Sequence, residues 1–132
     1  MYADGGARGN PGPAGSGAVL YDEAGKEIAG VKKFLGKTTN NVAEYTAVII
    51  GLEKAKALGA KTVHVRLDSE LVVKQMKGIY KVRQPHLQTL HARIHELCAD
   101  FTNIDFQHVR REMNVRADEL ANAAMDEGMK RS

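Results

Sequence analysis

The apolar residues of this chain change their period at Asn41, and that change does most to limit the fold. Before it, Ala18-Val19-Leu20-Tyr21 and Ile28-Ala29-Gly30-Val31 flank Asp22-Glu23-Ala24-Gly25. Turn residues between two strand-like runs predict an antiparallel hairpin. After it, Tyr45, Val48, Ile49, Leu52 and Ala55 recur at three and four residues, the apolar stripe of a packed helix. Gly59 is its stop. Thr62 to Leu67 alternates as a strand, and Asp68-Ser69 caps a helix that reaches Met76. Pro85 opens a further helix with a stripe of Leu87, Leu90, Ile94, Leu97, Cys98 and Phe101. A last strand, Ile104 to Val109, precedes a last helix, Asn114 to Met125. Strands first, then strand and helix in alternation, define an α/β chain: a mixed sheet with helices packed on it.

At 132 residues one domain spanning 1–132 is expected, large enough to bury a core without disulfides. With 19 Lys and Arg against 16 Asp and Glu, the net charge of +3 permits a polyanionic partner without requiring one. The single Cys98 excludes an internal disulfide and a cysteine zinc site, which fits a reducing compartment. No secretory signal or long apolar run is present. The expectation is a cytoplasmic chain with no membrane partner, monomeric by default.

The stretch Asp4-Gly5-Gly6-Ala7-Arg8-Gly9-Asn10-Pro11-Gly12-Pro13 reads as a loop that no regular element holds, with Asp4 closing a first strand. Glu44 falls in the first turn of the long helix, Asp68 follows a strand, and Asp118 lies near the start of the last helix. In a sheet with parallel strands such element ends collect at one edge. Acids gathered there repel one another unless a cation holds them, and hard oxygen ligands select magnesium or manganese. Each acid also has a plainer reading. Asn41 and Glu44 have capping-box spacing, Asp68 is a helix cap, Asp4 beside Gly5 a turn residue, and Asp118 complements a helix dipole. Composition and spacing leave the choice open.

The stretches YADGGARGNPGPAG, TTNNVAEYTAVIIGLEKA, VRLDSELVVKQMKG and NVRADELANAAM, in this order, resemble the motifs of type 1 ribonuclease H over nearly the whole chain. The resemblance implies a ribonuclease H-like fold, a five-stranded mixed sheet whose first three strands are antiparallel, flanked by helices. It implies an endonuclease that cuts the RNA strand of an RNA/DNA hybrid with two magnesium ions, or manganese, held by Asp4, Glu44, Asp68 and Asp118, leaving 5′-phosphate and 3′-hydroxyl ends. It further matches Gly6, Ala7, Arg8, Gly9, Asn10, Thr39, Asn40, Asn41, Ser69 and Glu70 to substrate-binding positions. The chain is similar to the compact members that lack a basic protrusion, so Lys74, Lys77, Lys81 and Arg83 are expected to supply a smaller positive surface.

Three departures stand out. The segment HVRREMNVRAD offers Arg110 and Arg111 where many members carry a loop histidine, with His108 assigned to the strand; either arginine is the candidate to act on a phosphate in its place. Glu70 replaces a common glutamine. Only Met1, Tyr2 and Ala3 precede Asp4, a short central strand expected to cost stability. These departures keep a second reading in play, a hybrid-binding module that has lost catalysis. His91 and His95 have helical i, i+4 spacing but no third ligand in the sequence, which argues against zinc.

Overall fold

The computed structural model describes residues 1–131. Its elements are β1 (Tyr2–Ala7), β2 (Gly12–Tyr21), β3 (Glu27–Thr38), α1 (Asn40–Ala57), β4 (Thr62–Leu67), α2 (Glu70–Met76), α3 (Pro85–Cys98), β5 (Asn103–His108), a short 3₁₀ turn (Arg111–Met113) and α4 (Val115–Arg131). The five strands form one sheet in the order β3-β2-β1-β4-β5. β1, β2 and β3 pair antiparallel, whereas β4 runs parallel to β1 and β5 parallel to β4. This is the mixed sheet expected from the sequence.

Cross-strand partners share a face, and alternate residues of a strand point oppositely. Gly5 and Ser16 are partners facing α1, and the Ser16 hydroxyl donates to the Ala43 carbonyl at 2.6 Å. Asp4 and Gly17 are the adjacent pair and face α4. The main core fills the α1 side, where Ala3, Leu20, Tyr45, Leu52, Val65, Val72, Ile94 and Leu97 are buried together. Val63, Val65 and Leu67 of β4 point into it, while His64 and Arg66 between them face outward. Buried Tyr45 donates its hydroxyl to Gln75 Oε1 at 2.5 Å, joining α1 to α2.

Several local expectations hold. Gly59 has φ +80° just past the end of α1, Ser69 caps α2 through Val72 N, and Pro85 is the first residue of α3. Others are corrected. β1 does not end at Asp4 but runs on through Gly5 and Gly6 to Ala7, so the central strand has six residues. Gly5 stands in it because the α1 backbone at Ala43 lies directly on that position. The cap of α1 is Thr39, whose Oγ1 accepts from Val42 N, not Asn41. Glu44 therefore sits beyond the first turn, and its capping-box role falls away. The last strand begins and ends one residue earlier than expected, and α4 continues past Met125 to Arg131.

Candidate active site

Asp4 lies mid-strand at the centre of the sheet, between Gly17 of β2 and the end of β4. Asp68 directly follows Leu67, the last residue of β4. Asp4, Glu44, Asp68 and Ser69 line one small pocket, floored by Ala3, Leu67 and Val72. Asp118, in the first turn of α4, stands near enough to Asp4 to raise its carboxyl. Ser69 shares this pocket with Glu44, and its hydroxyl draws the Glu44 carboxyl downward. The four sequence-predicted acids are thus brought to one place, though they meet pairwise. Among the described residues, no three Asp, Glu, His or Cys side chains stand as a ready-made ion cage.

Electrostatics explains the pairing. Burial pushes the Asp4 carboxyl up to about 8, and the charge of Asp68 and the bond and charge of Asp118 push the same way, against a backbone bond from Gly5. Burial also raises Glu44 to about 7, with the Ser69 hydroxyl opposing and Asp68 adding to the rise. Such shifts mark a site where negative charge is confined without compensation. Glu44 Oε2 is buried with no hydrogen-bond partner, an orphaned acceptor in an all-oxygen donor set. That chemistry fits a hard divalent cation.

A stability test follows. In the folded chain Asp4 holds its proton far above its ordinary 3.8, so between about pH 4 and 8 the folded state binds more protons than the unfolded state, and stability falls as pH rises. Glu44 acts in the same direction up to about 7. In chelator, the melting temperature of the wild type should drop by roughly 5–10 °C relative to Asp4→Asn between pH 5 and 8. Parallel pH profiles for the two proteins would refute the shift.

The expected substrate positions form a second, connected set. Ala7 N donates to Asn40 Oδ1 at 2.8 Å, and Asn40 N donates to Asn10 Oδ1 at 3.1 Å. Arg8 N donates to the Pro13 carbonyl at 2.8 Å, closing the turn that contains Gly9. With Thr39 as the cap and Asn41 in the first turn of α1, the β1–β2 turn and the start of α1 are pinned together beside Gly6. The Arg8 guanidinium instead pairs with Asp126 at 2.7 Å. Glu70 forms an ion pair with Lys74 at 2.9 Å, which holds it below its ordinary carboxylate range through that bond. Lys81 lies apart from the acids, in a groove with Tyr80 and His91. Arg110 follows β5, whose last residue is His108, and Arg111 opens the 3₁₀ turn. His91 Nε2 meets the Gln75 carbonyl at 3.2 Å, and the His91 and His95 rings touch edge-on.

Two supporting residues escape sequence reasoning. Buried Asn114 donates from Nδ2 to the Ala3 carbonyl at 2.8 Å, tying the start of α4 to β1 next to Asp4. Ser16 anchors α1 at the residue before Glu44. Asn114 carries the signal of an ordinary cap, and Ser16 carries none.

A family model described as reverse transcriptase-like matches residues 2–124. The chain is 48% identical over 127 residues to a bifunctional protein of Mycobacterium tuberculosis, covering 96% of this chain and 35% of that protein. It therefore spans about a third of that relative's length. A solved N-terminal RNase H domain from M. tuberculosis, fused to maltose-binding protein, superposes with TM-score 0.93 at 46% identity, over 97% of this chain and 93% of that one. Ribonuclease HI of Halobacterium salinarum is 43% identical over 126 residues, 96% of this chain and 63% of that protein. The structure of LC11-RNase H1 in complex with RNA/DNA hybrid gives TM-score 0.90 at 48% identity, over 97% and 96% of the two chains. A sheet order, a carboxylate junction and a sequence match that run together along almost the entire chain place it in the ribonuclease H family.

Proposed function

We propose that this chain is a metal-dependent endonuclease cutting the RNA strand of an RNA/DNA hybrid. The observation that carries the reading is the junction of Asp4, Glu44, Asp68 and Asp118, with Glu44 Oε2 buried and unpartnered. Magnesium, or manganese, would be held by these four side chains. When bound as two ions, the metal supplies an activated water and stabilises the leaving 3′ oxygen, giving 5′-phosphate and 3′-hydroxyl ends.

The chain's own residues supply positioning. Asp4 sits on a strand with partners on both sides, so its carboxylate is fixed more tightly than one on a loop, as magnesium's octahedral demand requires. Ser69 stands beside Glu44, whose Oε2 has no hydrogen-bond partner. Asn114 fixes the start of α4, from which Asp118 projects, against β1. The pinned Asn10–Asn40–Ala7 network presents backbone and amide groups suited to the 2′-hydroxyls of an A-form-like minor groove. Thr39 and Asn10 are assigned to a phosphate of the DNA strand. Gly6, Arg8, Gly9, Asn41, Ser69 and Glu70 complete the surface around the cut. Glu70 brings an acid, not an amide, to its place, and its pair with Lys74 lowers its net repulsion of the substrate. No described helix is long and apolar enough to cross a membrane, and a monomer in a reducing cytoplasm is the proposed setting.

The test is cleavage of an end-labelled hybrid with magnesium, manganese or chelator, beside single-stranded RNA, duplex DNA and duplex RNA of the same sequence. Metal-dependent cutting confined to the RNA of the hybrid is expected. Hybrid binding by folded protein with no cutting in either metal would instead identify a binding module that has lost catalysis.

A further inference from the structure

Beside the carboxylates lies a basic and aromatic pocket with no role so far. Tyr2 and Arg66 are partners in the parallel pair of β1 and β4, each two residues before an acid, Asp4 and Asp68. Side chains two apart on a strand share a face and stand roughly 6.6 Å apart. Tyr2 and Arg66 therefore form the next rung below the acidic junction, close enough for one strand of nucleic acid to touch both. α4 packs over β1, β2 and β3, and the outward face of β4 remains open, with Arg66 half-buried.

The pocket is built rather than accidental. Tyr2, Arg66, Gln107, Arg110 and Met113 line it, and none of its lining residues is acidic. The Arg66 guanidinium is held by Gln107 Oε1. The Tyr2 ring is braced at right angles by Tyr21, with centroids 5.7 Å apart. Val109 N donates to the Leu67 carbonyl at 2.9 Å, which sets Arg110 next to the end of β4. Elsewhere Arg8, Arg93 and Arg116 are engaged by surface carboxylates. Two guanidinium groups beside a fixed ring, next to a phosphoryl-transfer site, match a nucleotide's charged and apolar parts.

We infer that this pocket binds the RNA strand one nucleotide away from the phosphate that is cut, with Arg66 and Arg110 on the phosphate and the Tyr2 ring against its sugar. The assignment rests on the proposed nuclease reading, and it refers to the RNA strand because the pocket adjoins the acids that act on that strand. The DNA strand, across the minor groove, falls to the Thr39 and Asn10 side. Arg110 thus serves as a positioning residue instead of replacing a proton shuttle.

The experiment uses the whole chain carrying Asp4→Asn, with hybrid binding followed by fluorescence anisotropy from 50 to 300 mM salt. Adding Arg66→Gln and Arg110→Gln together is expected to weaken binding about 5- to 10-fold and to flatten the salt slope by about 1 to 2. Arg110 lies outside any strand or helix, so Arg110→Gln alone reads the pocket if Arg66→Gln perturbs the sheet. A single methylphosphonate, which removes one phosphate charge, is then placed at each position around the cut. One RNA-strand position should weaken binding of the parent and leave the double variant indifferent. In the cleavage assay on the Asp4 background, the double variant should show KM raised more than kcat is lowered. Unchanged affinity and salt slope, or coupling to a DNA-strand position, overturns the pocket while the nuclease stands. Wild-type protein that does not cut hybrid, with an Asp4→Asn parent that does not bind it, overturns the nuclease itself.

Discussion

Asp4→Asn is expected to lose hybrid cleavage by about 10³-fold or more while keeping its fold and much of its affinity for hybrid. The two side chains are nearly isosteric, and Asp4 sits on a strand whose ladder is made by backbone groups, so the sheet has no reason to change. What is lost is the anionic ligand at the centre of the junction, flanked by Asp68 and Asp118. Residues that act as a unit fail together, so removing one ligand should cost nearly as much as removing the set. The substitution also relieves charge confinement, and the variant should melt no lower than wild type in chelator. Binding survives because the Asn10, Asn40 and Ala7 network lies away from the change. A folded Asp4→Asn protein that keeps more than a tenth of wild-type turnover would remove Asp4 from the metal set. Loss of activity together with loss of the far-UV circular dichroism signal would leave the role of the carboxylate undemonstrated, and Asp118→Asn, on a helix, then becomes the deciding variant.

The parts of this fold that are legible in the sequence are those with local causes. Thr62–Leu67 alternates because one face of β4 is buried and the other exposed. Ser69 and Pro85 mark helix starts through their own backbone and hydroxyl chemistry. The acids are legible as a family pattern, though not from spacing alone. Where the reading of the chain differs from its structure, the cause is tertiary. Asn41 and Glu44 have ideal spacing for a capping box, yet Thr39 is an equally good cap two residues earlier, and nothing local chooses between them. Asn114 looks like a cap, while its amide reaches a carbonyl 111 positions away. The bond from Ser16 to Ala43 spans 27 positions and has no sequence signature. The glycine run is the instructive case, because local propensity argues against a strand there.

Gly5→Ala should be a severely damaging change for so small a substitution, costing about 3 kcal/mol or more of stability and about 10²-fold in activity. Alanine suits a strand at least as well as glycine by intrinsic preference, so the cost comes wholly from packing. A Cβ at Gly5 would lie far inside contact with the carbonyl carbon and oxygen of Ala43 and 2.6 Å from Glu44 N. These are backbone atoms of α1, which cannot yield by rotating a side chain. The helix must move away, breaking the Ser16 to Ala43 bond at 2.6 Å and carrying Glu44 from its place beside Ser69. Gly17 tells the same story on the other face, where a Cβ would meet Ala117 O at 2.6 Å and Ala121 N at 2.7 Å and would displace the helix that carries Asp118. The neighbouring Gly6 is the control for stability, since the nearest atom to its Cβ is Asn40 Oδ1 at 4.0 Å. Gly6→Ala should therefore melt within a few degrees of wild type, as glycine replacements in compatible backbone do. Thermal melts of the three variants, with cleavage rates for those that fold, decide the matter. Equal losses at Gly5 and Gly6 would point to backbone flexibility, whereas a loss confined to Gly5 and Gly17 means that both helices are set on the central strands through gaps only glycine leaves. The glycines beside Asp4 then act in catalysis indirectly, by fixing how near two carboxylate-bearing helices come to the third carboxylate on the strand between them.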